Sequence, residues 1–298
     1  MNLNIPSSIT KINSDFLDKS CIELFIKRDD RIHEIISGNK WRKLKYNFEY
    51  ATKNRFKTVL SFGGAYSNHL HALSYLARKK GFNSVGVVRG PKNEKLNPTL
   101  SFCKKNGMYL YYLDRVRYRS NKYDNSTILN LKNKFGNFFL IPEGGNNLLG
   151  VKGCEEIVKE IDLDFDYFCS PVGTGCTAAG IIKTLNPATH FLGFCPFQKI
   201  HEQKKNINDY CDVQQYNNWR LFSDTHFGGF TKINDILIKF IRQFNFDYNI
   251  QLDLIYMGKL FYHLFDLIEK GFFFRRTRIC VLHTGGLQGL QGFNFRFE

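Results

Sequence analysis

Short apolar runs alternate with stretches of helical spacing along most of this chain. Runs of four to seven apolar, β-branched or aromatic residues, bounded by glycine, proline or polar residues, predict buried strands at 58–62, 84–88, 108–113, 138–141, 167–172, 191–197 and 279–283. Apolar positions three and four residues apart predict helices after Tyr66 and at 149–161, 177–185, 233–244 and 259–270. Strands separated by helices favour parallel βαβ units, so we expect an α/β fold of open, mostly parallel sheets with helices on both faces.

The composition indicates a globular chain of about two domains. With 298 residues, 43% of them hydrophobic and 23% charged, the chain has enough apolar material for its cores, which excludes an intrinsically disordered protein. The polar, Asn- and Gln-rich segment at 198–222 is an exception. We expect a surface excursion or a loosely packed helix there.

Nothing in the sequence indicates a secreted or membrane-spanning protein. The N-terminus lacks the basic and apolar regions of a signal peptide, and no run of about 18 apolar residues occurs. The eight cysteines are scattered without a Cys-x-x-Cys motif. We therefore expect buried free thiols, no metal site and a cytoplasmic location.

The charge balance is unusual for a globular protein. The chain has 42 Lys and Arg against 27 Asp and Glu, which gives a net charge of +15 and a pI near 9.4. Such an excess fits nucleic acid, an acidic membrane surface, anionic small molecules or simply a solvated lysine-rich surface. Basic runs at 115–119 and 275–278, mixed with aromatics, support the rival hypothesis of a non-catalytic anion- or nucleic-acid-binding protein. We favour the solvated surface and expect no nucleic-acid partner.

A glycine-rich turn follows the predicted strand at 167–172 and opens a helix. Its residues are Gly173, Thr174, Gly175, Cys176 and Thr177. Small residues let a ligand approach the backbone, and the free N–H groups of a helix start attract phosphate. The next predicted strand ends without the acidic residue that would hold a dinucleotide ribose, and no Gly-Lys-Ser/Thr closes a P-loop. A single phosphate fits best, with an ordinary tight turn as the alternative.

Three further Gly-Gly turns follow predicted strands, at 63–64, 144–145 and 285–286. Ligands of open α/β sheets collect at the carboxyl ends of strands, so these turns together predict a site built from several strand ends. Ser67, after the first of them, is either a helix cap or part of a carboxylate cradle, and the two roles are compatible.

Together these segments resemble the pyridoxal-phosphate family that contains 1-aminocyclopropane-1-carboxylate deaminase and D-cysteine desulfhydrase, a branch of the tryptophan-synthase-β-like fold. The resemblance runs from Lys27 to Phe293, with motifs in matching order. The family patterns are Lys-Arg-(Asp/Glu)-Asp … Gly-Asn-Lys-x-Arg-Lys-Leu, Gly-Gly-x-x-Ser-Asn, a phosphate loop, Tyr-x-Gly-Lys and a final Gly-Gly turn. They match residues 27–30 with 38–44, 63–68, 173–177, 255–259 and 283–286.

The resemblance implies pyridoxal 5'-phosphate as the cofactor and Lys40 as the Schiff-base lysine, which also takes the substrate α-proton. By composition alone Lys40 is one lysine among many, but its neighbours Arg42 and Lys43 should lower the pKa of its amine. The other implied site residues are the phosphate-binding turn of Gly173, Thr174, Gly175, Cys176 and Thr177; Asn68 at the cofactor ring oxygen; Ser67, Asn68 and His69 at the substrate carboxylate; Tyr256 beside the reacting carbon; and Thr284 near the pyridine nitrogen.

Departures from the family pattern bear on the substrate. Deaminases of the family carry Glu and Leu at the positions of Met257 and Thr284, whereas desulfhydrases carry Thr at both; Phe230 replaces a further family tyrosine, and Cys176 replaces a Gly or Ser. A Glu facing the ring nitrogen strengthens the electron sink that opening a cyclopropane ring needs, whereas β-elimination of a thiolate needs less. The resemblance therefore favours D-cysteine, converted to pyruvate, ammonia and sulfide, with deamination of 1-aminocyclopropane-1-carboxylate as the alternative.

The resemblance also implies two domains and a homodimer. Residues 1–43 and 151–298 would form a large cofactor-binding domain, and residues 44–150 a smaller inserted α/β domain. Family members commonly dimerise, so a homodimer is expected. The implied partner is a small amino-acid substrate, with no membrane.

Overall fold

The computed structural model describes residues 1–92, 94–212, 215–224 and 226–290, which form two compact units. The first unit comprises Met1–Arg42 and Val151–Leu287, and the second comprises Lys43–Gly150 with residues 288–290. The domain bounds given above, 1–43 with 151–298 and 44–150, stay a prediction. Phe293, where the family resemblance ends, lies outside the described residues.

The strands are short, and most of them carry the apolar runs of the sequence. In chain order they are β1 (Ile9–Ile12), β2 (Glu23–Lys27), β3 (Thr58–Gly63), β4 (Asn83–Arg89), β5 (Met108–Leu113), β6 (Phe139–Ile141), β7 (Tyr167–Pro171), β8 (His190–Phe194), β9 (Trp219–Phe222) and β10 (Arg278–Leu282).

The helices fill the segments between the strands, with 3₁₀ turns at Asp29–Arg31 and Glu143–Gly145. Several begin at a polar cap; for example, the Asn97 side chain accepts a hydrogen bond from the Leu100 N–H. In chain order the helices are α1 (Asp15–Ser20), α2 (Asn39–Lys53), α3 (Asn68–Lys79), α4 (Pro98–Lys105), α5 (Arg115–Asn121), α6 (Asn125–Phe135), α7 (Leu148–Cys154), α8 (Glu156–Lys159), α9 (Cys176–Ile182), α10 (His201–Tyr210), α11 (Asp235–Tyr248) and α12 (Met257–Glu269).

The first unit contains a mixed six-stranded sheet of order β1-β2-β10-β7-β8-β9. Only β1 is antiparallel to its neighbour; the other strand pairs are parallel. Strand β10 lies at the centre, where Cys280 is opposite Phe25 on one side and Phe168 on the other. All three residues are buried, together with most of α9, and form the core of this unit.

The second unit contains a parallel four-stranded sheet of order β5-β4-β3-β6. Its core consists of buried residues from these strands together with Tyr118 of α5 and Leu131 of α6. The predicted α/β fold with mostly parallel sheets is confirmed by these two sheets and their intervening helices.

Some elements differ from the sequence prediction. Strands β1, β2 and β9 were not predicted, and the predicted helix at 149–161 is divided into α7 and α8. The polar segment at 198–222 forms α10 and then β9. In β9 only Leu221 is buried, so the strand has too few apolar positions to show a period.

All eight cysteines lie among the described residues as free thiols, and seven of them are buried. Within the described ranges no helix is long and apolar enough to cross a membrane.

Candidate active site

Lys40 lies in the first turn of α2 and is half-buried. The turn that presents it needs a glycine, because Gly38 has a φ of +65° and a Cβ there would overlap the carbonyl oxygen of Thr284. Asn39 N–H also donates to this carbonyl, at 3.4 Å. The start of α2 is therefore held against the segment that follows β10.

Asn39 joins Lys40 to the predicted phosphate-binding turn. Lys40 Nζ donates to Asn39 Oδ1 at 2.6 Å, and Asn39 Nδ2 donates to Thr177 Oγ1 at 3.0 Å. Asn39 and Thr177 are both buried. Two successive hydrogen bonds thus connect the lysine amine to the first turn of α9, a link between residues 138 positions apart in the chain.

The turn at 173–175 leads from β7 into α9. Gly175 has a φ of +90°, which favours glycine, and Cys176 and Thr177 at the start of α9 are buried. From α10, Asn206 Nδ2 donates to the carbonyl oxygen of Thr174 at 2.9 Å. The turn is fixed from outside by α10, and the first N–H groups of α9 have no acceptors within that helix.

Tyr256 is positioned by a buried carboxylate. Asp253 accepts hydrogen bonds from the N–H groups of Ile255, Tyr256 and Met257 at 2.8–3.0 Å, which shapes the start of α12. Burial raises the pKa of Asp253 despite these hydrogen bonds. The Tyr256 hydroxyl lies close to Gly173, where an added Cβ would be 3.4 Å from its oxygen.

Thr284 and Met257 are in direct contact. The Thr284 hydroxyl donates to the Met257 sulfur at 3.6 Å, and both side chains are buried. Met257 therefore presents a thioether at the position where the deaminases of the family carry a carboxylate.

Phe230 lies beside Tyr256, with the two rings edge to face and their centroids 5.8 Å apart. A buried ion pair holds the loop that carries Phe230: Lys259 Nζ contacts Asp224 Oδ2 at 2.7 Å and the Gly229 carbonyl at 2.5 Å. Burial would raise the pKa of Asp224, but the hydrogen bond from Lys259 and backbone N–H groups holds it below its ordinary value.

Arg42 is engaged in a buried ionic network. Its guanidinium contacts Asp29 at 3.0 Å and forms a short ion pair with Glu160, which also accepts from Lys27 Nζ at 2.9 Å. Two carboxylates thus compensate the charge of Arg42, one of the two residues expected from the sequence to lower the pKa of Lys40. That lowered pKa stays a prediction.

Ser67, Asn68 and His69 lie in the second unit, where β3 leads into α3. Ser67 caps α3 by accepting a hydrogen bond from the Leu70 N–H at 3.2 Å. His69 is buried, and its Nε2 is 2.9 Å from Ser61 Oγ. These three residues are at the carboxyl edge of the four-stranded sheet, as the sequence predicts for a ligand site.

The first unit brings together Lys40, the turn at 173–177, Tyr256 and Thr284, while the second holds Ser67, Asn68 and His69. Pyridoxal phosphate needs an amine, a phosphate-binding turn and a partner for its ring nitrogen. Lys40, the turn and Thr284 supply these groups, and the contacts through Asn39 and Gly38 hold them together, so the residues fit this cofactor. The role of each residue stays a prediction.

Sequence reasoning missed four residues that support this arrangement: Asn39, Asn206, Asp224 and Lys259. Asn39 and Lys259 lie inside the matched family motifs, so the motifs could have pointed to them. Asn206 and Asp224 lie outside them and act through contacts distant in sequence. Among the described residues, no group of three or more His, Cys, Asp or Glu could hold a metal ion.

The model of the family described as pyridoxal-phosphate dependent enzymes matches residues 9–203. The chain belongs to this family. It is an enzyme, and its cofactor is pyridoxal phosphate. This assignment favours catalysis over the rival hypothesis of a non-catalytic binding protein.

Relatives at 24–29% identity cover most of the enzyme. A putative 1-aminocyclopropane-1-carboxylate deaminase of Pyrococcus furiosus is 29% identical over 90% of this chain and 85% of its own length. A bifunctional D-cysteine desulfhydrase/1-aminocyclopropane-1-carboxylate deaminase of Arabidopsis thaliana is 27% identical over 96% and 78%. A D-cysteine desulfhydrase of Yersinia pestis is 24% identical over 93% and 89%.

Solved structures agree with this fold. A homologue of 1-aminocyclopropane-1-carboxylate deaminase superposes with a TM-score of 0.83 at 26% identity, covering 99% of the enzyme and 94% of that chain. A hydrogen sulfide-producing enzyme from Fusobacterium nucleatum superposes with a TM-score of 0.67 at 17% identity, covering 94% and 95%. The second likeness concerns the fold alone.

Proposed function

We propose that the enzyme catalyses β-elimination from a small amino acid, with D-cysteine as the substrate and pyruvate, ammonia and sulfide as products. The contact between Met257 and Thr284 carries this proposal. With these two residues beside the cofactor ring, the ring would meet a thioether and a hydroxyl and no carboxylate at these positions. A ring nitrogen without a carboxylate partner is a weaker electron sink, which suits expulsion of a good leaving group such as sulfide.

Phe230 supports the same reaction. Its ring lies against that of Tyr256, and it has no hydroxyl to offer beside the one that Tyr256 carries. Opening a cyclopropane ring would use such a hydroxyl to move a proton, whereas expulsion of sulfide does not require it.

In this proposal, residues of the first unit hold the cofactor and move the substrate proton. Pyridoxal phosphate, when bound, supplies the electron sink that makes the substrate α-proton acidic. Lys40 Nζ would take that proton, and Asn39 would hold the amine in place through its bond to Thr177. The turn at 173–177 would bind the phosphate and Thr284 the ring nitrogen.

Substrate binding falls to the second unit in this proposal. Asn68 would hydrogen-bond the cofactor ring oxygen, and Ser67, Asn68 and His69 would bind the substrate carboxylate. The capped start of α3 favours this role, because its N–H groups and helix dipole attract an anion.

The alternative is deamination of 1-aminocyclopropane-1-carboxylate. It is favoured by the names of the relatives from Pyrococcus furiosus and Arabidopsis thaliana and by the solved homologue at 26% identity. We further propose that the enzyme acts in the cytoplasm as a homodimer; neither point affects the choice between the two substrates.

The decisive experiment compares substrates on the purified holoenzyme. We expect visible absorption from the bound cofactor, sulfide release from D-cysteine and little ketobutyrate from 1-aminocyclopropane-1-carboxylate. Lys40→Ala should abolish both the absorption and the sulfide release. A colourless protein that takes up no added cofactor would contradict the site assignment, and a higher kcat/KM for the cyclopropane substrate would contradict the choice of D-cysteine.

A further inference from the structure

The positive charge of this enzyme is concentrated in its second unit. Residues 43–150 contain 19 Lys and Arg against 5 Asp and Glu, a net charge of +14. The other 190 residues contain 23 basic and 22 acidic residues, a net charge of +1. A compositional preference for lysine across the whole chain would charge both units, so it does not account for this difference.

Within the second unit, ten of the nineteen basic residues lie at one edge of the sheet, where no acidic residue accompanies them. Four segments lead into the four parallel strands, at 53–57, 78–80, 104–105 and 132–134, and each lies at or near the end of a helix. They carry ten Lys and Arg, all exposed, and no Asp or Glu. Because the strands are parallel, all four segments lie at the amino edge of the sheet.

Two of these segments are in direct contact. Arg78 at the end of α3 donates to the carbonyl oxygen of Lys105 at 3.0 Å, so the basic residues around the ends of α3 and α4 are neighbours. We refer to the four segments together as the basic edge.

The cofactor does not explain the basic edge. Ser67, Asn68 and His69 follow the carboxyl end of β3, whereas residues 53–57 precede its amino end. A six-residue strand separates the two edges by roughly 20 Å, beyond the Debye length at physiological salt. Helix dipoles favour cations at helix ends, but they do not require that ten basic residues stand without an acidic one.

Aromatic side chains accompany the basic edge. Tyr109, near the start of β5, is 52% exposed and packs against Phe135 at the end of α6, with ring centroids 5.2 Å apart. Tyr50, near the end of α2, is 44% exposed and packs against Phe139 at the start of β6, at 5.0 Å. Strands β5 and β6 are the outer strands, so an exposed tyrosine lies towards each end of the basic row.

We propose that the basic edge binds single-stranded nucleic acid. Its lysines and arginines would contact the backbone phosphates, and Tyr109 and Tyr50 would stack on unpaired bases. Proteins that bind single strands without sequence preference combine these two features. An anionic membrane would satisfy the charge but would not need rigid tyrosines held in ring-to-ring contact.

The test measures binding of the holoenzyme to a fluorescent oligouridine of about 20 nucleotides, by anisotropy, between about 50 and 200 mM KCl. The variant combines Lys80→Gln, Lys104→Gln and Lys132→Gln. We expect its affinity to fall about tenfold or more, and the slope of log affinity against log salt to become shallower by about 2, since each single-strand phosphate contact contributes about 0.7.

The matched control removes three exposed lysines of the first unit: Lys159→Gln, Lys239→Gln and Lys270→Gln. It has the same net charge as the first variant, and we expect its affinity and salt slope to stay near those of the parent. Equal losses in both variants would overturn the proposal, because binding would then depend on net charge alone. Unchanged elimination activity and melting temperature verify that both variants are folded.

A third variant separates nucleic acid from other polyanions. Tyr109→Leu should weaken oligouridine binding about fivefold or more through lost stacking and leave binding to heparin unchanged. Equal weakening for both ligands would overturn the proposal. Binding to phosphatidylserine vesicles without binding to oligouridine would also overturn it, in favour of a membrane surface.

Discussion

Asn39 shows how one side chain can join two parts of a site. Its amide accepts from the Lys40 amine and donates to the Thr177 hydroxyl, so the side chain uses both ends. An aspartate of similar size could accept from Lys40 but could not donate to Thr177, and a leucine could do neither. The family motif pointed to Lys40 in the sequence. The contact between Asn39 and Thr177 could not be predicted in the same way, because the two residues are 138 positions apart and belong to different motifs.

Asn39→Ala should therefore reduce kcat by about ten- to a hundredfold, because a misplaced amine loses its alignment with the substrate proton. Cofactor binding, measured by visible absorption, should remain. The control is Asn54→Ala, at an exposed position directly after α2, which should leave kcat unchanged. A variant that retains full kcat would show that Asn39 does not position Lys40.

His71 makes stability sensitive to acid. Its side chain is 7% exposed, and its ring stacks on that of Phe102 with the ring centroids 3.9 Å apart. Burial lowers the pKa of His71 to about 4. In the unfolded chain His71 binds a proton as the pH falls below its ordinary pKa of 6.5, whereas in the folded chain it stays neutral until the pH approaches 4. The free energy of unfolding is therefore highest above pH 6.5 and falls as the pH drops from 6.5 towards 4.

We expect the contribution of His71 to the free energy of unfolding to fall by about 2 kcal/mol between pH 7.5 and pH 5. His71→Phe should lose this part of the pH dependence, as measured by urea denaturation at both pH values. Exposed His201 provides the control, since His201→Phe should leave the dependence unchanged. Equal pH dependence in the parent and in His71→Phe would contradict the assignment.

Among the secondary-structure elements, most of the buried strands could be predicted from the apolar runs of the sequence alone. The predicted strand at 108–113 coincides with β5. The one at 58–62 is one residue shorter than β3 at its end, and the one at 84–88 is one residue shorter than β4 at each end. The edge strands β1 and β9 of the six-stranded sheet were missed because few of their residues are buried; β1 buries only Ile12 and β9 only Leu221. Periodicity reports burial, so it fails where a strand is half-covered.

Strand β2 was missed for a different reason. It ends in Lys27, which is fully buried because Glu160 compensates its charge. A buried lysine interrupts the apolar pattern, and the carboxylate that makes it possible lies 133 residues later. The same carboxylate pairs with Arg42 of α2, so Glu160 ties β2, α2 and the end of α8 together.

Glu160→Gln should lower the free energy of unfolding by about 3 kcal/mol, because it leaves buried cations with fewer compensating charges. Glu23→Gln removes a carboxylate that forms surface ion pairs with Lys11 and Arg278, and should cost at most about 1 kcal/mol. Denaturant unfolding at neutral pH compares the two. A loss for Glu160→Gln no larger than that for Glu23→Gln would contradict the role of the network.

The pH dependence of this network has a definite sign. Burial would raise the pKa of Glu160, but Arg42 and Lys27 lower it below 4.5. Its stabilisation is therefore present above pH 4.5 and is lost as the pH falls through the lowered pKa. In Glu160→Gln this acid-sensitive part should be missing.

For the molecule as a whole, total charge proved less informative than its distribution. The sum of +15 allowed a solvated surface as well as a binding surface. Once the boundaries of the units are known, +14 of that charge belongs to residues 43–150. Composition cannot show this, since it counts residues without regard to the folded unit that contains them.

Chain order within the central sheet has a consequence for synthesis on the ribosome. Strand β10 lies between β2 and β7, so neither strand has its neighbour on that side until synthesis reaches Leu282. The second unit, by contrast, has all four of its strands once Ile141 has emerged. While residues 172–277 are being added, the nascent chain carries two apolar strand edges, on β2 and β7, that still lack β10 as their neighbour. Chaperones cover surfaces of this kind. A message truncated before Arg278 would thus yield a chain with one sheet complete and the other open at its centre.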